Sequence, residues 1–122
     1  PAGAVPSDPP ELPEGLGVEE IRRRGREVEA AAFLIGTTYE TMGLLVYRRI
    51  ASFDLVYELT GGISRVLWHR LAHWIEETRT RNEQPSFAEW YQWLVERFDE
   101  YESKDPIEPA YVRAAAWKPR SD

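Results

Sequence analysis

The residues whose types and spacing could do chemistry are the two histidines of the chain, His69 and His73. They are four positions apart in residues 64–80, a stretch with the apolar spacing of an amphipathic helix. Glu76 comes three positions after His73, so at 100° per residue all three side chains lie on one side of that helix. Two imidazoles and a carboxylate in this arrangement could share a divalent metal ion. The pattern therefore raises the hypothesis of a metal-binding or metal-dependent helical bundle.

The order of residues does not match the known catalytic metal motifs. Arg70 follows His69, where the H-E-x-x-H motif places its glutamate base. The E-x-x-H pairs of di-iron bundles are absent because Val66 and Arg70 come three positions before the histidines. The chain has no cysteine, no glycine-rich phosphate loop and no nucleophile elbow. The sequence thus favours a protein that is not an enzyme, without catalytic residues or a cofactor, and keeps a divalent metal as the alternative.

Composition and charge limit the classes of function further. A chain of 122 residues fits one domain, and its net charge of −6 argues against nucleic-acid binding. Its longest apolar run, residues 30–35, is far shorter than the roughly 20 residues of a membrane span. No basic start followed by an apolar block marks a signal peptide, which favours the cytoplasm or the cytoplasmic face of a membrane.

Apolar periodicity predicts an all-α fold, a small bundle of four main helices in residues 18–103. A proline-rich flexible lead covers residues 1–17, and residues 104–122 form a tail with one short helix. The first helix runs from Val18 to about Val46, with a second row of side chains for a further helix at Leu34, Thr38, Thr41 and Leu45. A short helix, 53–60, is capped by Ser52 and stopped by Gly61 and Gly62. The last helix follows a capping box at Ser86 and Glu89 and ends near Ser103.

The helix over residues 64–80 is predicted to be the spine of the bundle. Its inward face comprises Ile63, Val66, Leu67, Leu71, Trp74 and Ile75. His69 is expected in solvent and His73 at the edge of the core, paired with Glu76 or Glu77. Glu40 lies near the inward face of the first helix and needs a partner, for which Arg48, Arg65 or Arg70 could serve.

The placement of the tryptophans gives the leading hypothesis on function. Trp74 and Trp90 lie on inward faces, whereas Trp68 lies on a flank and Trp93 lies opposite the apolar side of its helix. Large aromatic side chains away from a core are enriched at recognition surfaces. Together with Trp117 of the tail they predict a surface for a protein partner or for self-association, and hence a non-enzymatic interaction or scaffolding module.

One basic cluster supports a weaker hypothesis of binding to an anionic surface. It consists of Arg22, Arg23, Arg24 and Arg26 near the start of the first helix. Such a cluster could contact phosphate, an acidic partner or anionic lipid, and so allow peripheral membrane association. Four glutamates close by, at positions 19, 20, 27 and 29, favour local ion pairs instead.

Several of these residues also resemble a bacterial family, domain-of-unknown-function family 4760. The resemblance covers about residues 30–100 and rests on Glu40, Gly43, Trp68, Arg79 and Phe87. It implies a helical fold in which a long helix with an acidic residue and a glycine precedes a tryptophan-bearing helix that ends in arginine. The family has no established activity, and its members often carry an N-terminal membrane anchor. The resemblance therefore supports the helical fold without supplying a mechanism. We expect the chain to be a soluble piece of a bacterial protein that is membrane-associated or part of a larger assembly.

Overall fold

The computed structural model describes residues 16–104 and 107–121, and all regular structure in these ranges is helical. The helices are α1 (Val18–Arg23), α2 (Arg26–Tyr47), α3 (Phe53–Arg81), α4 (Glu89–Lys104) and α5 (Ala110–Arg113). The predicted all-α bundle is confirmed. The proline-rich residues 1–15 and the predicted break at residues 105–106 lie outside the described ranges.

Helices α2, α3 and α4 form the bundle, and α1 covers one end of it by packing on α2 and α3. The larger core cluster contains Trp74, Leu71 and Ile75 of α3 and Tyr91 of α4, together with residues of α1 and α2. A smaller cluster of Val46, Val56, Leu94 and Phe98 fills the other end. Leu16, placed in the flexible lead by the sequence, is already buried in the larger cluster.

The single long helix predicted from Val18 to Val46 is instead two helices with a break at Gly25. Gly25 has φ 114°, a left-handed conformation that side-chain-bearing residues rarely adopt. Its carbonyl accepts the Glu29 N–H, so the glycine serves as the start of α2. The break lets α1 turn back over the C-terminal end of α3.

The predicted stop at Gly61 and Gly62 is wrong, because α3 continues through both residues. Neither glycine has a positive φ, which a left-handed helix end would require. Gly61 is buried beneath the ring of Tyr57, so packing of the whole helix outweighs the roughly 1 kcal/mol that each glycine costs. The Ser52 cap is confirmed, since its hydroxyl accepts the Leu55 N–H at 3.3 Å.

The inward face predicted for the spine is correct only in part. Leu71, Trp74 and Ile75 are buried and Leu67 is half-buried, but Ile63 and Val66 are about half exposed. On α2 the second row is also largely in solvent, with Leu34, Thr38 and Thr41 exposed. The reason is that the two helices predicted over residues 53–80 are the single helix α3, and α4 packs on the side of α2 that carries Gly36 and Gly43. Within the described ranges no further long helix covers the row at Leu34.

The capping box predicted at Ser86 and Glu89 does not form. Residues 85–88 make a turn, Ala88 has φ 60°, and α4 begins only at Glu89. The Ser86 carbonyl accepts the Glu89 N–H at 3.2 Å, and a side chain of α2 caps the first turn of α4.

The tail contains one short helix, as predicted, at Ala110–Arg113. Arg113 of α5 pairs with Glu58 of α3 at 3.1 Å. Almost all described residues of the tail are exposed.

Candidate functional site

Glu40 of α2 supplies the missing cap of α4. Its Oε1 accepts the backbone N–H of Trp90 at 2.7 Å and that of Tyr91 at 2.9 Å. These are early amides of a helix and have no partner within it, and an anion also favours the positive end of the helix dipole. The arginine partner predicted for Glu40 is therefore replaced by backbone donors. Arg65 pairs with Glu102 and Asp99 instead.

Burial raises the pKa of Glu40 above its usual range, because α4 covers the carboxylate. The hydrogen bonds from Tyr91 and Trp90 act in the opposite direction, and the nearby Arg79 guanidinium lowers the pKa slightly. A raised pKa can mark a catalytic acid. Here the accepting oxygen is occupied by two backbone amides, which indicates a structural role.

Gly43 lies one helical turn after Glu40 and lets the backbones of α2 and α4 meet. A Cβ at Gly43 would overlap the carbonyl of Trp90 and lie 2.7 Å from its carbon atom. Arg79 of α3 fixes the same region from the other side. Its Nε donates to the Phe87 carbonyl at 2.8 Å, and one of its terminal nitrogens donates to Gln92 Oε1 at 3.0 Å.

Aromatic rings complete this junction. The Phe87 ring contacts Trp74 with centroids 5.6 Å apart, and the Trp68 ring contacts Tyr91 at 5.0 Å. The Tyr91 hydroxyl donates to the Ser64 carbonyl at 2.7 Å, and burial raises its pKa. The five residues that carry the family resemblance thus all lie in, or contact, the turn before α4 or the first turns of α4.

The predicted metal ligands do not come together as a set. His69 is exposed as expected, and His73 Nε2 contacts Glu77 Oε1 at 2.8 Å. Glu76 Oε1 accepts from Arg79 at 2.8 Å. Residues 16–104 and 107–121 contain no group of three or more histidine, cysteine or acidic side chains placed to hold a metal ion. The divalent metal stays a prediction that rests on the two imidazoles alone.

Glu77 connects α3 to α1. Its Oε2 accepts the Val18 N–H at 3.3 Å, which satisfies an early amide of α1. Arg81, one turn later, pairs with Glu19 of α1 at 3.0 Å. His73 and Glu77 therefore take part in docking α1 on the end of the bundle.

The predicted anion-binding arginines are mostly paired with neighbouring glutamates. Arg22 contacts Glu29 at 3.4 Å, and Arg23 and Arg24 both contact Glu20. Arg26 is exposed. These pairs offset much of the positive field on which the anion-binding hypothesis depends.

The tryptophans predicted to bind a partner have different environments. Trp68 and Trp93 are half-buried, and Trp93 contacts Tyr47 and Trp90 at 5.7 and 5.9 Å between centroids. Trp90, predicted in the core, is only half-buried. Trp117 is 73% exposed, which leaves its ring largely free.

An apolar stripe on α3 was missed by the sequence analysis. It consists of Leu55, Leu59, Ile63 and Val66, which are 49% to 70% exposed. At 100° per residue these four lie within an arc of about 80°, on the side of α3 opposite the buried Ser64. The signal is their spacing of four, four and three residues, which becomes a single row only when α3 is continuous.

The geometry defines a class, a small helical bundle in which α2 caps and closely packs the start of α4. The sequence matches a family model, Domain of unknown function (DUF4760), over residues 18–98, and the chain belongs to this family. No curated protein and no solved structure matches the chain. None of the helices in the described ranges has the length and apolar character that crossing a membrane requires.

Proposed function

We propose that this chain is a non-enzymatic helical interaction module and that its partner, an amphipathic helix, docks on the apolar stripe of α3. The stripe is the single observation that carries the proposal. Four branched aliphatic side chains in one row expose apolar area that water disfavours, and such faces commonly mark interaction sites.

The shape of the stripe supports a helical partner. Leu55, Leu59, Ile63 and Val66 have the spacing of a helix-packing seam. The first and the last are 11 positions apart, or about 17 Å along a straight helix. Gly62 borders the row, and a Cβ at this position would meet nothing within 4 Å. A second helix could therefore approach closely at that point.

Residues of the tail support the proposal that the partner binds at the stripe. Arg113 holds α5 beside the stripe through Glu58, while Tyr111 and Trp117 remain 81% and 73% exposed. Aromatic side chains of this kind are enriched at the centres of interfaces. The partner-binding role first assigned to Trp68, Trp93 and Trp117 is thus best supported for Trp117 together with the stripe.

Cross-linking before lysis, followed by sedimentation of the purified chain, tests the proposal. The double variant Leu59→Glu with Ile63→Glu places two charges in the stripe and should abolish the adducts of the natural chain, whether with itself or with another protein. Leu34→Glu, at a site 68% exposed on α2, is the matched control and should leave the adducts unchanged. A natural chain that forms no adduct, or adducts that survive the double variant, would count against the proposal.

The metal hypothesis has its own measurement. Calorimetry with zinc, nickel and manganese on the natural chain and on His69→Ala with His73→Ala would detect a site at the imidazoles. Heat that disappears in the double variant would support it, and no heat above buffer in the natural chain would remove it.

A further inference from the structure

A cleft at the opposite end of α4 from the Glu40 cap has the composition of an anion-binding site. It is shallow and open to solvent, with a volume of ≈ 770 Å³. The C-terminal turn of α2, the start of α3 and the second half of α4 surround it. We refer to it as the basic cleft and define it by Arg48, Arg49, Arg97, Lys104, Trp93 and Tyr101.

The charge of the basic cleft is opposite to that of the protein. Four of its lining residues are cations and one, Glu100, is an anion, which leaves an excess of three positive charges. The whole chain carries a net charge of −6. A concave surface concentrates such a local field more than a flat one does.

Most of these cations form no ion pair with a described carboxylate. Arg48, Arg49 and Lys104 have no carboxylate within 4.0 Å among the described residues, whereas Arg22, Arg65 and Arg81 elsewhere are paired. Arg97 shares one terminal nitrogen with Glu100 at 3.0 Å, and its Nε is buried without a hydrogen-bond partner.

The two adjacent arginines are not needed to end α2 either. The carbonyl of Leu45 accepts the N–H groups of Ile50 and Ala51, and that of Leu44 accepts the Arg48 N–H. The backbone thus satisfies the end of the helix by itself. Arg49 has φ 60°, a conformation that glycine or asparagine would adopt more easily. The turn therefore presents the Arg49 guanidinium at a position where a smaller residue would fit the backbone better, and Arg48 lies next to it in the chain.

Aromatic side chains form the rest of the wall. The Arg97 guanidinium lies 5.7 Å from the centroid of the Trp93 ring. Phe53 and Tyr101 meet edge to face at 5.3 Å, and Tyr47 also lines the cleft. Such rings favour a planar or apolar group next to the cations.

We propose that the basic cleft binds a phosphate ester whose phosphate contacts the arginines and whose planar or apolar group contacts the aromatic wall. A phosphate offers several acceptor oxygens, which suits several guanidinium donors better than a single carboxylate does. The phosphate ester could be a soluble compound or a phospholipid headgroup. This proposal rests on the cleft and is independent of the apolar stripe.

Titration followed by tryptophan fluorescence and calorimetry tests the proposal, with inorganic phosphate, phenyl phosphate and AMP as soluble probes. Sedimentation with vesicles of phosphatidylglycerol in phosphatidylcholine, compared with phosphatidylcholine alone, tests the lipid source. At least one phosphate ester, soluble or in the anionic vesicle, should bind more tightly than inorganic phosphate and less tightly as salt increases. Soluble binding alone identifies a soluble ligand, and vesicle binding alone identifies a headgroup.

Three variants locate the binding. Arg49→Asn removes a cation while an asparagine tolerates the left-handed turn, and Arg97→Gln removes the guanidinium over Trp93. Each should weaken binding about tenfold, the effect of losing one charge-assisted hydrogen bond. Arg26→Gln, at an exposed arginine outside the cleft, is the control and should leave binding unchanged. No binding of any probe, or equal weakening by Arg26→Gln, would overturn the proposal.

Discussion

Glu40 shows how a single carboxylate can hold two helices together, and its protonation should affect stability. The pKa of Glu40 is raised from its ordinary value of 4.5, mainly by burial. The folded protein therefore binds a proton more readily than the unfolded chain does. The contribution of Glu40 to the free energy of unfolding is largest below about pH 4.5 and falls as the pH rises through the raised pKa.

Glu40→Gln should remove this pH dependence, because an amide oxygen can accept both N–H groups without a charge. Urea unfolding between pH 4 and pH 8 measures the free energy of unfolding of both proteins. That of Glu40→Gln should increase relative to that of the natural chain as the pH rises. Glu40→Ala, by contrast, leaves two helix amides unpaired and should lose about 1–3 kcal/mol, with the larger loss at low pH. A gap between the natural chain and Glu40→Gln that is the same at all pH values would contradict the assignment.

The close contact at Gly43 predicts that an alanine there is destabilising, and Gly36 on the same helix provides the control. Gly43→Ala forces a methyl group into the Trp90 carbonyl, so α4 must move away, at about 1–3 kcal/mol. Gly36→Ala would place its Cβ 4.0 Å from Phe87, an ordinary contact, and should gain up to about 1 kcal/mol from helix propensity. Chemical denaturation measures the free energy of unfolding of both variants. Equal changes in the two would show that α2 and α4 leave room for a methyl group at Gly43.

At the scale of elements, the continuity of α3 predicts opposite effects for its two adjacent glycines. A Cβ at Gly62 meets nothing within 4 Å, so Gly62→Ala should stabilise the protein by about 1 kcal/mol. A Cβ at Gly61 would lie 2.8 Å from the Tyr57 ring, which packs on Phe98 and Tyr101 at 5.4 and 5.0 Å. Gly61→Ala should therefore destabilise it.

Thermal unfolding followed by circular dichroism measures both glycine variants. If a helix end were present at these residues, alanine would be unfavourable at both positions, and Gly62→Ala would lower the melting temperature.

The elements also show which parts of the structure a sequence can reveal. The Ser52 cap was predictable because the cap and its amide are three residues apart. The buried side of α4 agrees with helical spacing, because Tyr91, Leu94, Val95 and Phe98 lie on one face and are all buried. The continuation of α3 through Gly61 was not predictable. A glycine pair is compatible with a helix end or a helix interior, and only the Tyr57 packing decides between them.

The same limit applies to the candidate sites. The need of Glu40 for a partner was visible, but the partner is a pair of backbone amides about fifty residues later, and backbone leaves no mark in a sequence. The apolar stripe was hidden because a predicted stop separated Leu55 and Leu59 from Ile63 and Val66. The basic cleft joins Arg49 to Arg97 only through the packing of α2 against α4.

At the scale of the whole molecule, the bundle should be stable without its tail. The described part of the tail has no buried side chain, and the Arg113–Glu58 pair is exposed. Exposed pairs contribute about 0–1 kcal/mol. A chain truncated after Lys104 should therefore unfold within about 1 kcal/mol of the natural one in urea. A loss of several kcal/mol would show that the tail belongs to the core.

The Glu40 cap has a consequence for the order in which the chain folds. The carboxylate accepts hydrogen bonds from amides that lie 50 and 51 residues later in the chain. Since isolated helices of this length are marginal in water, α4 should gain its full helicity only when α2 is in contact with it. Contacts so distant in sequence slow folding, because a long loop must close before they form. During synthesis, α2 and α3 would leave the ribosome first, and the bundle would close in one late step when α4 emerges.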